Sequence, residues 1–344
     1  MVLMKRLKPA VAVLGSTALI VAACSSETGD ETSSDGIQVT TSIYPLEYVA
    51  EEVGGDHVSV TSLTTPGSDD HSLELSPRQV NNLSNVDLVV TLSGYQAAMD
   101  DALGAAEVSR VIDAADHIKL IEDIDHSGHD HSGDVAEEQE ASQDAHDAAS
   151  EEAEAHEDHD HTDEEDHEGH DHSGPDPHFW LDPTQLALLA EPVAEQLAEI
   201  DPDNADEYRA NAEQLIADME ALDGDFHEGL AQCESDTFVV SHEAFGYLAN
   251  AYDLDQQGIA GLEIDTEPSP RRVAEVTALI EEAGVSLIFA TSEAEMSVTG
   301  ALAEEAGVDV DILDAGATQL DENVDYEALM RTNLDKLQNA LDCR

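Results

Sequence analysis

From residue 36 onward, apolar positions recur with two alternating periods, one suited to strands and one to helices. Residues 36–43 read as a strand, 45–53 as a helix, and 58–63 as a second strand in which Val58, Val60 and Ser62 alternate with Ser59 and Thr61. A loop carrying Pro66, Gly67 and His71 follows, then a helix over 77–83, a buried strand over 86–92, a helix over 96–103 and a short strand at 111–113. Strands regularly separated by helices predict parallel pairing with helices on the sheet faces.

The rhythm resumes after residue 175. Two helices are predicted over 183–200 and 202–231, the second with Asp201 as N-cap and Pro202 at its first position. Its apolar residues Ala205, Tyr208, Ala212, Leu215, Ile216, Met219 and Leu222 recur at threes and fours, and at 1.5 Å per residue it runs about 40 Å. Strands at 237–241, 256–262, 285–290 and 308–313 then alternate with helices at 244–251, 270–283, 298–306 and 325–341, Glu243 opening the first of these. The expected fold class is α/β: two lobes, each with a central, mostly parallel sheet flanked by helices, joined by a long α-helix. The lobes fall at 37–200 and 232–344, and the connecting helix at 201–231.

Two stretches break this pattern. Residues 125–174 hold ten histidines among Asp, Glu, Gly, Ser and Ala, with no aromatic and Val135 as the one branched aliphatic. Such a segment buries too little apolar area to offset its ordering entropy, so a disordered insertion within the first lobe is expected. Its closely spaced imidazoles and carboxylates read as a low-affinity metal collector or sensor, against the blander reading of a solvated spacer. At the other extreme, a basic stretch at Lys5, Arg6 and Lys8 precedes a small, apolar run ending Val21-Ala22-Ala23-Cys24. That run is shorter than the roughly 20 residues that span a bilayer. It reads as a signal peptide (1–23) closed by a lipobox, with Cys24 lipidated and 24–36 a flexible tether on the outer face of the cell membrane.

Composition sharpens the compartment and the partners. Lys and Arg number 12 against 78 Asp and Glu, a formal charge of −66 that would repel phosphate and excludes a nucleic-acid partner. No Lys or Arg lies between Glu122 and Asp176, yet the globular parts are acidic too, which reads as a solvated surface suited to high ionic strength. With Cys24 assigned to lipid, Cys233 and Cys343 remain and read as a disulfide in an oxidising compartment, pinning the C-terminal helix to a sheet edge.

Three histidines fall where open α/β sheets bind ligands, beyond the carboxyl ends of strands. His71 follows the second strand, His178 lies in the Pro-flanked segment after the insertion, and His242 directly follows the strand ending at Ser241. His57, His117 and His227 read as surface residues. An imidazole-rich set favours Zn²⁺ over Mn²⁺, which prefers more oxygen ligands. No GxSxG elbow, HExxH helix or phosphate loop points to an enzyme.

The text around these histidines is more specific than their positions. Thr65-Pro66-Gly67-Ser68-Asp69-Asp70-His71, Asp176-Pro177-His178-Phe179-Trp180-Leu181-Asp182-Pro183 and Val240-Ser241-His242-Glu243-Ala244-Phe245-Gly246 occur in order. Together with Gly261-Leu262-Glu263 and the 326–334 segment, they resemble the zinc-binding substrate-binding lipoproteins of ABC transporters, a cluster that also holds manganese-binding and adhesin lipoproteins. The resemblance covers the chain from Ile37 onward except the insertion. It implies a two-lobed metal receptor of the periplasmic-binding-protein type, a monomer that captures Zn²⁺ and passes it to an ABC permease. It implies His71, His178 and His242 as ligands, the third being a carboxylate in manganese-type relatives. Asp314 matches a family carboxylate at the cleft and is the expected fourth ligand, with Asp70 and water as rivals. Position 291, commonly Glu in the family, is Thr here, leaving Glu293 or Glu295 to support the site. The alternatives are a manganese or iron receptor of the same build, a metal-dependent adhesin, or a zinc hydrolase using Glu243 as base.

Overall fold

The first sheet forms around β1 (Ile37–Thr41), which pairs in parallel with β2 (Val58–Ser62) on one side and β3 (Leu88–Thr91) on the other, β3 pairing in turn with β4 (Val111–Asp113). In this computed structural model residues 36–67, 71–121, 175–261, 269–321 and 323–344 are described. The signal peptide, Cys24, the tether up to residue 35, Asp70, Glu263 and the whole of 125–174 lie outside them. Helices α1 (Tyr44–Gly54), α2 (Pro77–Leu83) and α3 (Ala97–Ala105) make the crossovers. The central strand β3 is buried at all four positions, whereas edge strand β2 alternates between half-buried and exposed, as its sequence period requires.

The second sheet repeats the plan with β5 (Thr237–Val240), β6 (Asp255–Gly258), β7 (Leu287–Ala290) and β8 (Asp309–Ile312), all parallel. Among the described residues the two strand orders are β2-β1-β3-β4 and β6-β5-β7-β8. In each, the chain turns in opposite directions from the two central strands, and the crevice beyond their carboxyl ends is the natural ligand position. Helices α7 (Gly246–Ala251), α8 (Pro270–Ala283), α9 (Met296–Ala306) and α10 (Tyr326–Ala340) complete this lobe.

Between the sheets lie α4 (Pro183–Ala187), α5 (Ala190–Ile200) and α6 (Ala205–Leu230). Three local expectations are corrected here. The single helix over 183–200 is broken at Leu188–Leu189, because Pro192 has no N–H for the Leu188 carbonyl and its ring crowds that turn. Pro202–Asn204 forms a 3₁₀ turn before α6, and the Asp201 carboxylate accepts from Asn204 and the Tyr208 hydroxyl instead of capping the helix. Glu243 does not open a helix; α7 starts at Gly246, and Glu243 lies 3.7 Å from Arg272 Nη2.

Helix α6 buries Tyr208, Ala212, Leu215, Met219, Leu222, Phe226 and Leu230 along one stripe. It packs on α1, α4 and α5 of the first lobe and on α10 of the second. One continuous apolar cluster therefore runs from Val39 and Leu46 through Trp180 and Tyr208 to Phe245 and Tyr326, crossing both lobes. A smaller cluster lies on each sheet's other face: Leu63, Leu83, Val89, Met99 and Ala102 in the first lobe, and Val239, Ile280 and Ile288 among others in the second. A disulfide joins Cys233, just past α6, to Cys343, just past α10. It ties the chain's end to the loop entering β5, an interior strand, and not to a sheet edge. No described helix is long and apolar enough to cross a membrane.

Candidate metal centre

His71, His178 and His242 come from three separate segments, and each offers a ring nitrogen within 4.8 Å of those of the other two. Among the described residues this is the group of His, Cys, Asp or Glu side chains placed to share one cation. The ring centroids are 5.4, 6.0 and 5.7 Å apart for the pairs 71–178, 71–242 and 178–242. Tetrahedral Zn²⁺ binds imidazole nitrogen at about 2.0–2.1 Å, so small ring rotations bring all three into reach.

The hydrogen bonds at the far side of two rings fix which nitrogen faces the cluster. His178 is fully buried, and its Nδ1 lies 2.9 Å from Asp176 Oδ1, which also accepts the His178 backbone amide at 2.9 Å. A carboxylate oxygen only accepts, so Nδ1 carries the proton and Nε2 presents a lone pair. That Nε2 is buried with no hydrogen-bond partner, as is Nε2 of His242. Two buried imidazole nitrogens without a protein partner are costly unless an electrophile takes them. The donor set therefore fits a borderline-soft divalent cation.

Local structure explains the placement. Asp176 donates its amide to the Ile121 carbonyl, and the Tyr247 hydroxyl accepts from Ile121 N at 2.8 Å and reaches the Asp176 carbonyl at 3.3 Å. The chain thus departs at Ile121 and returns at Asp176 beside it, so the length of the intervening stretch does not disturb the bridge. The Asp176 carboxylate abuts α7: a Cβ on Gly246 would stand 2.5 Å from its Oδ2. His71 has the Tyr95 ring edge-on at 4.8 Å. Trp180, two residues past His178, donates Nε1–H to the Ala315 carbonyl of the second lobe at 2.8 Å.

His242 follows β5, and its Nδ1 lies 2.9 Å from Thr291 Oγ1 and 3.5 Å from Glu295 Oε1. Glu295 Oε2 accepts from Thr291 Oγ1 at 2.8 Å and from the Ser241 hydroxyl. Burial works to raise the Glu295 pKa, but the neighbouring His242 imidazole 3.5 Å away and the bonds from Ser241 and Thr291 prevail and bring it down to about 2. Glu293, by contrast, is exposed.

Asp314 is not among the clustered ligands. It lines, with His242, Thr291, Glu295 and Leu320, a cavity of about 240 Å³ beside them. Its Oδ1 accepts the amide of Gly316, whose φ of +69° turns the chain back on itself. His57 pairs with Glu207 at the start of α6, while His117 and His227 are exposed, and none of the three joins the ligand cluster. The sequence reading singled out the three imidazoles but overlooked Asp176 and Gly246. An Asp two residues before a buried His was the available signal for the first.

A family model for zinc-uptake complex component A, periplasmic (ZnuA), matches residues 39–340. The chain belongs to this ZnuA family. It is 30% identical over 334 residues to the zinc-binding lipoprotein AdcA of Streptococcus pneumoniae, covering 94% of this chain and 59% of AdcA. The chain thus spans less than two thirds of that relative. It is 29% identical over 342 residues to the high-affinity zinc uptake system protein ZnuA of Bacillus subtilis, covering 96% of both. The laminin-binding protein of Streptococcus agalactiae, described as bifunctional with adhesin and metal transporting activity, is 27% identical with a TM-score of 0.70. That match covers 89% of this chain and all of the other. All segments quoted for the resemblance fall inside the region matched by the ZnuA family model.

Proposed function

We propose that this protein is an extracytoplasmic receptor that captures Zn²⁺ between its lobes and delivers it to an ABC permease. One observation carries the reading: imidazoles from three distant segments converge within 4.8 Å, two of them with buried Nε2 atoms that no hydrogen bond satisfies. His71, His178 and His242 hold the ion, and Asp314, on the wall of the adjoining cavity, supplies the fourth ligand. Three neutral imidazoles and one carboxylate suit Zn²⁺, where a manganese receptor uses more oxygen. The names of the streptococcal and Bacillus relatives support zinc as cargo. A shell closed by protein ligands suits carriage better than hydrolysis, which requires an open position.

Lipidation at Cys24, a monomeric state and display on the outer face of the membrane complete the proposal, the acyl chain keeping the receptor near its permease. The 125–174 insertion serves as a separate low-affinity collector. Metal content per chain, measured for the wild type, a form lacking 125–174 and His71→Ala, His178→Ala and His242→Ala variants, tests the assignment. The expected result is one tight Zn²⁺ in the first two and none in the three variants. Retention of that equivalent in all three histidine variants defeats it. Asp314→Asn weakening Zn²⁺ without abolishing it identifies the fourth ligand.

A further inference from the structure

We infer that Glu295 is a positioning residue for His242, acting through the Thr291 hydroxyl. The inference rests on the zinc-receptor reading and concerns how the third ligand is held.

Strand register brings the parts together. β5 and β7 are neighbours with Val240 opposite Phe289, so two residues further along His242 faces Thr291 at the paired strand ends. A threonine hydroxyl is too short to bring a charge to the imidazole, but it can pass one on. Glu295 stands at the N-cap position of α9 yet makes no side-chain cap there. Its carboxylate turns back to the strand ends, where Oε2 accepts from Thr291 Oγ1 and from the Ser241 hydroxyl. Its Oε1 is buried, makes no hydrogen bond and lies 3.5 Å from His242 Nδ1.

Counting protons fixes the direction of every bond. Glu295, an ionised carboxylate, only accepts, so the single Thr291 hydroxyl proton points at Oε2. Thr291 Oγ1 is then left as an acceptor toward His242, 2.9 Å away, and Nδ1 of that ring must carry the proton. The neutral ring therefore has its lone pair on Nε2, facing His71 and His178. A carboxylate behind a metal-bound imidazole orients it and raises its basicity, and loss of such a partner typically costs 10- to 100-fold in metal affinity. Here the same work is done at one remove, with a neutral hydroxyl as the swivel. A Glu295 serving only the β7–α9 turn would leave the tautomer of His242 undetermined.

The test compares Zn²⁺ affinity, by chelator competition, and zinc-free thermal unfolding across the full-length wild type, Glu295→Gln, Thr291→Val, Thr291→Ser, the Glu295→Gln/Thr291→Val double variant and His242→Ala. The expected losses for Glu295→Gln and Thr291→Val are about 10- to 100-fold. Thr291→Ser retains near-wild-type affinity, and the double variant is no weaker than its weaker parent, because both changes cut one chain. Nitrogen-15 NMR of the neutral His242 ring in the zinc-free wild type, which needs no variant to fold, should show Nδ1–H and a bare Nε2. An Nε2–H tautomer there, additive losses, Thr291→Ser behaving as Thr291→Val, or unchanged affinity in Glu295→Gln each overturns the relay. A wild type that takes up no tight Zn²⁺ defeats instead the receptor reading beneath it, and His242→Ala marks full loss of the ligand.

Discussion

The indole of Trp180 donates to the Ala315 carbonyl at 2.8 Å, so the segment bearing His178 is hydrogen-bonded to the loop bearing Asp314 across the two lobes. The ring is fully buried against Tyr95 and Phe179, and the Trp180 backbone carbonyl accepts from the Tyr326 hydroxyl. Trp180→Phe keeps most of the apolar contact but strands a carbonyl at the cleft. The expected cost is about 1–3 kcal/mol in urea unfolding, with a parallel loss of Zn²⁺ affinity. An unchanged unfolding midpoint would show that water replaces the indole without penalty.

Gly246 is a position where one methyl group decides the site. A Cβ there would meet Asp176 Oδ2 at 2.5 Å, and Asp176 holds His178 through Nδ1. Gly246→Ala must push the carboxylate aside, so Zn²⁺ binding is expected to weaken by about 10- to 100-fold. Gly104, in α3 with nothing within 4 Å of its would-be Cβ, is the control. Gly104→Ala should leave zinc affinity unchanged and add about 0.5–1 kcal/mol of stability. Isothermal competition titration of both variants separates the steric effect at Asp176 from a general response to added bulk.

How much was legible beforehand depends on whether the cause is local. Helix α2 after Ser76 and helix α8 after Ser269 begin where cap and proline chemistry put them, and α8 ends before Gly284 in the left-handed region. The strand at 111–113 was readable from residue type and spacing, whereas the three imidazoles stood out by their places after strands together with the family-like segments around them. The break at Leu188–Leu189 had its signal in Pro192, outweighed by the apolar period around it. The Thr291–Glu295 arrangement was not readable. Position 291 marked a departure, but only the register of β5 against β7 sets Thr291 behind His242 and leaves Glu293 exposed. Asp314 matched a family position in sequence, yet the structure sets it on the cavity wall, outside the imidazole cluster.

Glu47, half-buried in α1, has its pKa pushed up to about 7, chiefly by burial and further by Glu51. Its unfolded value is near 4.5, so between the two the folded state binds more protons than the unfolded one. Stability is therefore greatest below about pH 4.5, falls as pH rises toward 7, and levels off above, as far as this group contributes. Glu47→Gln removes the penalty. At pH 8 the variant should be more stable by roughly 1–2 kcal/mol once solvent screening of a half-buried group is allowed for, and the gain should vanish by pH 4. Chemical denaturation at both pH values reads the difference, and a gain that persists at pH 4 would assign it to something other than ionisation.

Capture of the ion should require little closure of the lobes. The apolar cluster is continuous from the first lobe to the second, and α6 spans both without a break. Tyr44 donates its amide to the Ala317 carbonyl at 3.0 Å, and the Tyr326 ring of the second lobe lies tilted against that of Tyr48 of the first, centroids 5.3 Å apart. Opening such an interface would expose aromatic surface and break buried hydrogen bonds, whereas the His71 loop meets the second lobe through a long contact, Gly67 N to Thr318 Oγ1 at 3.4 Å. Release to the permease is accordingly expected to move that loop and the His178 segment while the lobes stay put. In a form lacking 125–174, small-angle scattering should give the same radius of gyration with and without Zn²⁺. Hydrogen exchange should change around residues 63–71, 176–180 and 315–320 and leave α6 unaltered. A clear contraction on zinc binding, with protection changes along α6, would mean that the long helix bends and that the shared core is no barrier to closure.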